Sequence, residues 1–222
     1  LPRSGKLLER VQPCSAVLRH LIPMPVPIIL ASGSAIRAQM LANARVAAQV
    51  VRPRVDEEAV KNALLAEAAT PRNIADALAE LKARKISEKH PGAMVIGCDQ
   101  VLDFAGTLLS KPETPDQALD QLTQMCGKRH SLYSAAVIAE NGRPVWRHIG
   151  QVRLHMRDLS DAYLQDYVRR NWDSIRHAVG AYKLEEEGVR LFSVIDGDYF
   201  SVLGMPLTDL LNYLAVRGAI ET

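Results

Sequence analysis

The stretch VPIILASGSAIRAQMLANA, residues 26–44, decides how the rest of the chain is read. Its first six residues are a short apolar run of the length and composition of a buried strand. Ser32, Gly33 and Ser34 follow, and then Ile36, Met40, Leu41 and Ala44 recur at helical spacing. A strand, a small-residue turn and a helix opened by a serine cap begin an α/β unit. Small residues at such a turn let backbone N–H groups approach a ligand, and a helix N-terminus favours anions. Arg37 stands near the start of that helix, where a guanidinium can grip phosphate with two hydrogen bonds. The pattern is neither a P-loop nor GxGxxG. Taken alone, a capped helix with a surface arginine is the plainer reading.

Outward from this unit, residues 46–51 read as a second strand. Helical patterns cover residues 56–69 and 71–89, the latter with Pro71 near its start and Ile74, Leu78, Leu81 and Ile86 near one face. Residues 93–98 form a buried strand ended by Asp99, and residues 101–109 a short hairpin around Gly106. Residues 114–125 and 160–170 read as helices. Between them, residues 132–139 and 144–156 flank Asn141-Gly142, a strong hairpin signal. A strand within residues 188–196 and a helix over 206–216 complete the order. Strands and helices interleave without repeats or long linkers, which predicts an α/β or α+β domain with one mixed sheet. Residues 1–24, basic and weakly patterned, read as a flexible extension or start-site artefact, leaving residues 25–222 as one domain. A signal peptide would need His20 or three prolines in its apolar core.

Composition narrows the classes of function. The 222 residues are 48% hydrophobic and 23% charged, which argues against disorder and a coiled coil. Aromatics make up 5%, too few for stacking platforms on single-stranded nucleic acid. Lys and Arg number 27 against 25 Asp and Glu, so no excess charge advertises nucleic acid or a membrane surface as partner. A local basic cleft for a small anion stays open. Three cysteines without a CxxC pair fit a reducing cytoplasm. The histidines lack zinc-like spacing, and no run reaches the ~18–20 apolar residues of a membrane helix.

Chemistry-bearing residues then stand out one by one. Asp99 is a carboxylate at the end of a buried strand, the edge where α/β sheets bind ligands. Burying it alone is costly, so it is expected to meet a metal, a base or water. Asp56 and Glu57 begin a helix, where the dipole favours acids. Lys82 borders the apolar face of its helix and can snorkel to water. Lys111 lies between Ser110 and Pro112 in a stiffened turn, otherwise a solvated lysine. Two glycine-bearing loops, residues 180–185 and 197–206, either finish a pocket or connect elements.

Each motif is weak, but their order is specific. Leu-Ala-Ser-x-Ser-x-x-Arg, Val-Asp-Glu, a helix lysine, Gly-Cys-Asp-Gln, Lys-Pro, Gly-x-x-His, Gly-x-Tyr, and Gly-Asp-Tyr with Val-x-Gly-x-Pro resemble the Maf family of nucleoside triphosphate pyrophosphatases, from about residue 28 to 216. The resemblance implies a two-lobed α/β fold around a deep cleft, often dimeric. It implies hydrolysis of a nucleotide triphosphate between the α and β phosphates with a divalent metal, Mg²⁺ or Mn²⁺. The family's catalytic aspartate falls on Asp99 and its metal-associated glutamate on Glu57. Its phosphate-binding residues fall on Arg37, Lys82 and Lys111, with Ser32 and Ser34 in the first turn. Asp99 can hold metal, deprotonate water, or both. Departures at Ile36, Gln100 and Glu185 resemble the branch acting on 7-methyl-GTP more than the dTTP/UTP branch, although that branch carries a bulky aromatic where Ile36 stands. The resemblance also leaves a second reading, a non-hydrolysing nucleotide-binding regulator linked to septum formation.

Overall fold

The computed structural model describes residues 26–221, and the extension read at residues 1–24 lies outside the described residues. Among these residues seven strands form one mixed sheet: β1 (Ile28–Ala31), β2 (Ala48–Val50), β3 (Met94–Phe104), β4 (Thr107–Leu109), β5 (Arg129–Glu140), β6 (Arg143–Met156) and β7 (Phe192–Asp196). Their order is β2-β1-β3-β5-β6-β7, with β4 added to β3. Pairing is parallel across β2, β1 and β3 and antiparallel elsewhere. Among the described residues seven helices flank the sheet: α1 (Ala35–Asn43), α2 (Glu57–Ala66), α3 (Pro71–Ser87), α4 (Pro115–Met125), α5 (Asp161–Ile175), α6 (Tyr199–Val202) and α7 (Leu207–Val216). This is the single α/β domain that the interleaved pattern implies. None of these helices is long and apolar enough to cross a membrane.

The period of two along β3 sorts the layers. Met94, Ile96 and Cys98 pack with Leu41 of α1 and Leu210 of α7. Val95 packs with Ile86, and Val101 with Leu78, both from α3 on the other face. Gly97 and Asp99 share the α3 face by alternation. A Cβ on Gly97 would lie 2.2 Å from the Ala79 carbonyl oxygen and 2.6 Å from the Ala83 nitrogen. The helix backbone thus rests directly on the strand, and Lys82, three residues beyond Ala79, is carried over Asp99.

Several elements depart from the sequence expectation. β3 does not end at Asp99 but continues to Phe104. The reason is β5, which pairs with it from Val95 to Asp103 and satisfies its backbone after the parallel neighbour has stopped. α5 runs past residue 170 to Ile175, whose buried side chain extends the stripe of Leu164, Tyr167 and Val168. The strand expected within residues 188–196 is found at Phe192–Asp196, preceded by a 3₁₀ turn. α6 is a single turn capped by Asp198, too short to show a hydrophobic period.

The same topology leaves an opening. β1 pairs with β3 only as far as Ala31 opposite Gly97, and β4 borders β3 only from Leu102 onward. β5 occupies the other edge throughout. The β1-side edge of β3 is therefore open at residues 98–101, the region that includes Asp99.

Candidate active site

Charges converge at this opening. The Nζ of Lys82 lies 2.6 Å from Oδ1 of Asp99 and 2.9 Å from Oε1 of Glu57. The side chains of Lys82 and Asp99 are 6% and 9% exposed, whereas Glu57 is 53% exposed. Lys82 therefore does not snorkel to water; it is a buried cation holding two carboxylates. Adjacent Asp56 and Glu57 divide their work: Asp56 caps α2, accepting from the Ala59 N–H at 3.0 Å, and Glu57 reaches back to Lys82. Burial drives the Asp99 carboxyl above the usual carboxylate range, against the opposing pull of Lys82 and Arg37. A proton is accepted there more readily than by an exposed aspartate.

Arg37 enters the opening from α1. Its Nε donates to the Gly204 carbonyl at 2.8 Å, and its Nη1 donates to the Cys98 carbonyl at 3.0 Å and to Ser32 Oγ at 3.4 Å. A side chain thus takes a β3 carbonyl just beyond the last residue paired with β1. All three acceptors are neutral, so the guanidinium charge has no carboxylate partner among the described residues. Gly204, in the Val-x-Gly-x-Pro run, has φ of 98°, and a Cβ there would stand 2.9 Å from Nη2 of Arg37. Only glycine suits both the left-handed backbone and the close approach.

The first turn corrects one detail. Ser34 precedes α1 but makes no side-chain cap bond. Instead its own N–H donates to Ser32 Oγ at 3.2 Å, a local serine turn. Lys111 follows β4 across the opening and has no hydrogen-bond or ion-pair partner among the described residues. It remains exposed by area, yet its ammonium is pushed below the usual lysine range, first by partial desolvation and then by the positive charge of Arg37. Cys98, beside these cations, is buried and its thiol is pushed up to about 11, which leaves it inert at neutral pH.

The positions expected to choose the base are not gathered in the same way. Gln100 lies on the opposite face of β3 from Asp99. Its Nε2 donates to Ser134 Oγ at 2.9 Å and to the carbonyls of Ser201 at 3.1 Å and Val202 at 2.9 Å. Its carbonyl oxygen is left without a donor among the described residues. Ile36 is half-buried in the first turn of α1. Glu185 is exposed, and no contact joins it to Lys82 or Asp99. The segment before it is anchored by Tyr182, whose hydroxyl lies 2.8 Å from Nε2 of buried His130. The Gly-x-x-His and Gly-x-Tyr motifs thus meet in the core, away from the chemistry.

The sequence reading misses Ser134 and Ser201, since isolated serines carry no signal until β5 and α6 bring them together. It also misses Arg52, an exposed arginine in an irregular segment whose guanidinium packs on Gly33. For a metal, the described residues offer no cluster of three His, Cys, Asp or Glu side chains. Lys82 engages only Oδ1 of Asp99 and Oε1 of Glu57, and the second oxygen of each has no partner among the described residues. These are hard donors of the kind a Mg²⁺-like ion takes alongside phosphates and water.

The model of the family described as Maf-like protein matches residues 27–217. A nucleoside triphosphate pyrophosphatase of Ruegeria pomeroyi is 74% identical over 199 residues, covering 90% of this chain and 100% of the relative. One from Caulobacter vibrioides is 50% identical over 194 residues, covering 87% and 97%. A 7-methyl-GTP pyrophosphatase of Brucella abortus is 43% identical over 198 residues, covering 89% and 100%.

Proposed function

Because the chain belongs to the Maf-like protein family, we propose that it is a nucleoside triphosphate pyrophosphatase, a hydrolase of phosphorus-containing anhydrides with a house-cleaning role. The observation that carries this reading is the opening beside β3. There a buried Lys82–Asp99 pair adjoins Arg37, whose charge among the described residues is met only by neutral oxygens, and Lys111, which has no partner among those residues. Cations without counterions around one carboxylate form a receptor for an anion that must react.

In the reaction one water is consumed and the Pα–O–Pβ bridge breaks, giving monophosphate and pyrophosphate. Asp99, with its raised proton affinity, takes the proton from the attacking water. Arg37 and Lys111 meet the negative charge that grows on the phosphates, and the N–H groups that open α1 beyond the Ser32–Ser34 turn add neutral donors. Lys82 keeps Asp99 ionised and oriented. Asp99 and Glu57 would hold a divalent Mg²⁺ or Mn²⁺, which supplies Lewis-acid neutralisation of the phosphates when bound.

For the base, the favoured reading is 7-methyl-GTP or a related modified guanine triphosphate. The Gln100 amide nitrogen is occupied, so it presents an acceptor, and Glu185 offers only acceptors. Two acceptors suit the N1–H and N2–H₂ edge of guanine, and a carboxylate also favours its methylated, cationic form. The protein is read as a cytoplasmic homodimer without nucleic-acid or membrane partners. The non-hydrolysing regulator finds no support in the geometry: a binder would do better without a carboxylate facing phosphates. The test is a panel of canonical and modified triphosphates with Mg²⁺ or Mn²⁺, reading monophosphate and pyrophosphate. Release of orthophosphate instead, or no turnover of any triphosphate, refutes the assignment; a preference for dTTP or UTP refutes the base.

A further inference from the structure

We propose that Arg52 is a further substrate-binding residue, the ligand for the distal phosphates of the triphosphate and for the departing pyrophosphate. This deepens the reading above and rests on it. The first observation is placement. In the order β2-β1-β3, the Ser32–Ser34 turn leaves the end of β1, with Asp99 on the β3 side and Arg52 on the β2 side. Arg52 lies two residues beyond the end of β2, and the parallel strands β1 and β2 deliver their C-terminal ends to the same edge. A Cβ on Gly33 would lie 2.6 Å from Arg52 Nε and 3.2 Å from its Cζ. The guanidinium is therefore laid against the bare Cα of the turn.

The second observation is what Arg52 lacks. It is exposed and has neither a carboxylate nor a carbonyl acceptor among the described residues. A guanidinium has five N–H donors, and among the described residues none of them is spent, beside a turn whose other flank is held by Arg37. The third is that its backbone is fixed. The Val51 N–H donates to the Leu30 carbonyl at 3.0 Å, and Lys85 Nζ donates to the Arg54 carbonyl. Two residues later Asp56 caps α2, and Glu57 is held by Lys82. The segment is tied to β1, to α3 and to the catalytic pair, so Arg52 keeps its place without an ion pair of its own.

Direction along the substrate follows from the sheet. Gln100, read above as a base contact, is tied towards β5 and α6 by Ser134 and Ser201. The β2 side is the opposite end of the opening. A nucleotide with its base towards β5 and its scissile bridge at Asp99 extends its phosphate tail across the Ser32–Ser34 turn to Arg52. A guanidinium there takes two phosphate oxygens at once. It also balances charge on pyrophosphate as the bridge breaks.

The experiment is calorimetric titration of inorganic pyrophosphate, tripolyphosphate and nucleoside monophosphate in Mg²⁺ buffer, with steady-state kinetics alongside, for wild type, Arg52→Ala, Gly33→Ala and the double variant. Arg52→Ala should weaken pyrophosphate and tripolyphosphate about tenfold and raise KM for triphosphate by a similar factor, the scale of one charge-assisted contact. Monophosphate affinity and Tm should not change. Gly33→Ala displaces only the end of a flexible side chain and should reproduce much of the loss, and the double variant should add little to Arg52→Ala. Equal pyrophosphate affinity in wild type and Arg52→Ala overturns the proposal while turnover stands. Equal losses for pyrophosphate and monophosphate overturn the distal assignment. A wild-type protein that neither binds nor cleaves any triphosphate refutes the parent reading and Arg52 with it.

Discussion

Replacing Lys82 by Met tests the site through stability rather than turnover. Met keeps most of the apolar stem and removes the charge. What remains is Asp99, 9% exposed, with its ammonium partner at 2.6 Å gone. Breaking a buried pair from one side costs about 3–5 kcal/mol, because the stranded charge stays desolvated. At roughly 2–4 °C per kcal/mol for a domain of this size, Tm should fall by about 6–20 °C at pH 8. The loss should depend on pH. Burial already raises the Asp99 pKa, and removing Lys82 raises it further. A carboxyl with a folded pKa above its unfolded value binds more protons folded than unfolded, so stability falls as pH rises through the interval between the two. The deficit of Lys82→Met should therefore be largest at pH 8 and shrink towards pH 5. Asp99→Asn should cost less, since Lys82 keeps Glu57 at 2.9 Å and the Asn oxygen can still accept. Thermal denaturation of the three proteins from pH 5 to 8 decides the matter. A Lys82→Met protein with wild-type Tm at pH 8, or with the same deficit at every pH, refutes the buried-pair reasoning.

Asp99→Asn should lower kcat by ~10²–10⁴ while triphosphate Kd holds or tightens, as single-turnover kinetics and calorimetry can separate; an unchanged kcat removes Asp99 from proton transfer. Gly97→Ala forces a Cβ to 2.2 Å from the Ala79 carbonyl oxygen, so α3 must lift, costing about 3 kcal/mol in denaturant unfolding and lowering kcat as Lys82 leaves Asp99. Buried His130 has its pKa lowered to about 4 by desolvation. With an unfolded value near 6.5, its neutral form supports the fold fully above pH 6.5, and about 3 kcal/mol is lost as pH falls to 4. His130→Gln should flatten that part of the pH–stability curve, and an identical curve would contradict it.

Local elements were legible because their signals are local. Pro71 opens α3, Asn141-Gly142 turns β5 into β6, and the run from Ile28 to Met40 gives β1, the turn and α1. What escaped the sequence depends on partners far along the chain. β3 passes Asp99 only because β5, some 36 residues later, pairs with it, as Asp99 opposite Ala135 shows. Lys82 looks like a snorkelling lysine until Gly97 lets α3 down onto the strand. The opening itself is a relation between where β1 stops and where β4 begins, and no window of sequence contains both. This explains why motifs that were weak singly were specific together. Gly97 sets the height of α3, Gly204 receives Arg37, Asp198 caps the turn that holds Gln100, and His130 pins Tyr182. These residues touch no reacting atom on the reading proposed here, yet each fixes an element that carries or holds a residue assigned to the phosphates, the reacting water or the base. Their order along the chain is a record of which wall of the opening each element builds. Asp56 and Glu57 make the same point at the smallest scale: two adjacent acids, one capping α2 and so aiming the other at Lys82.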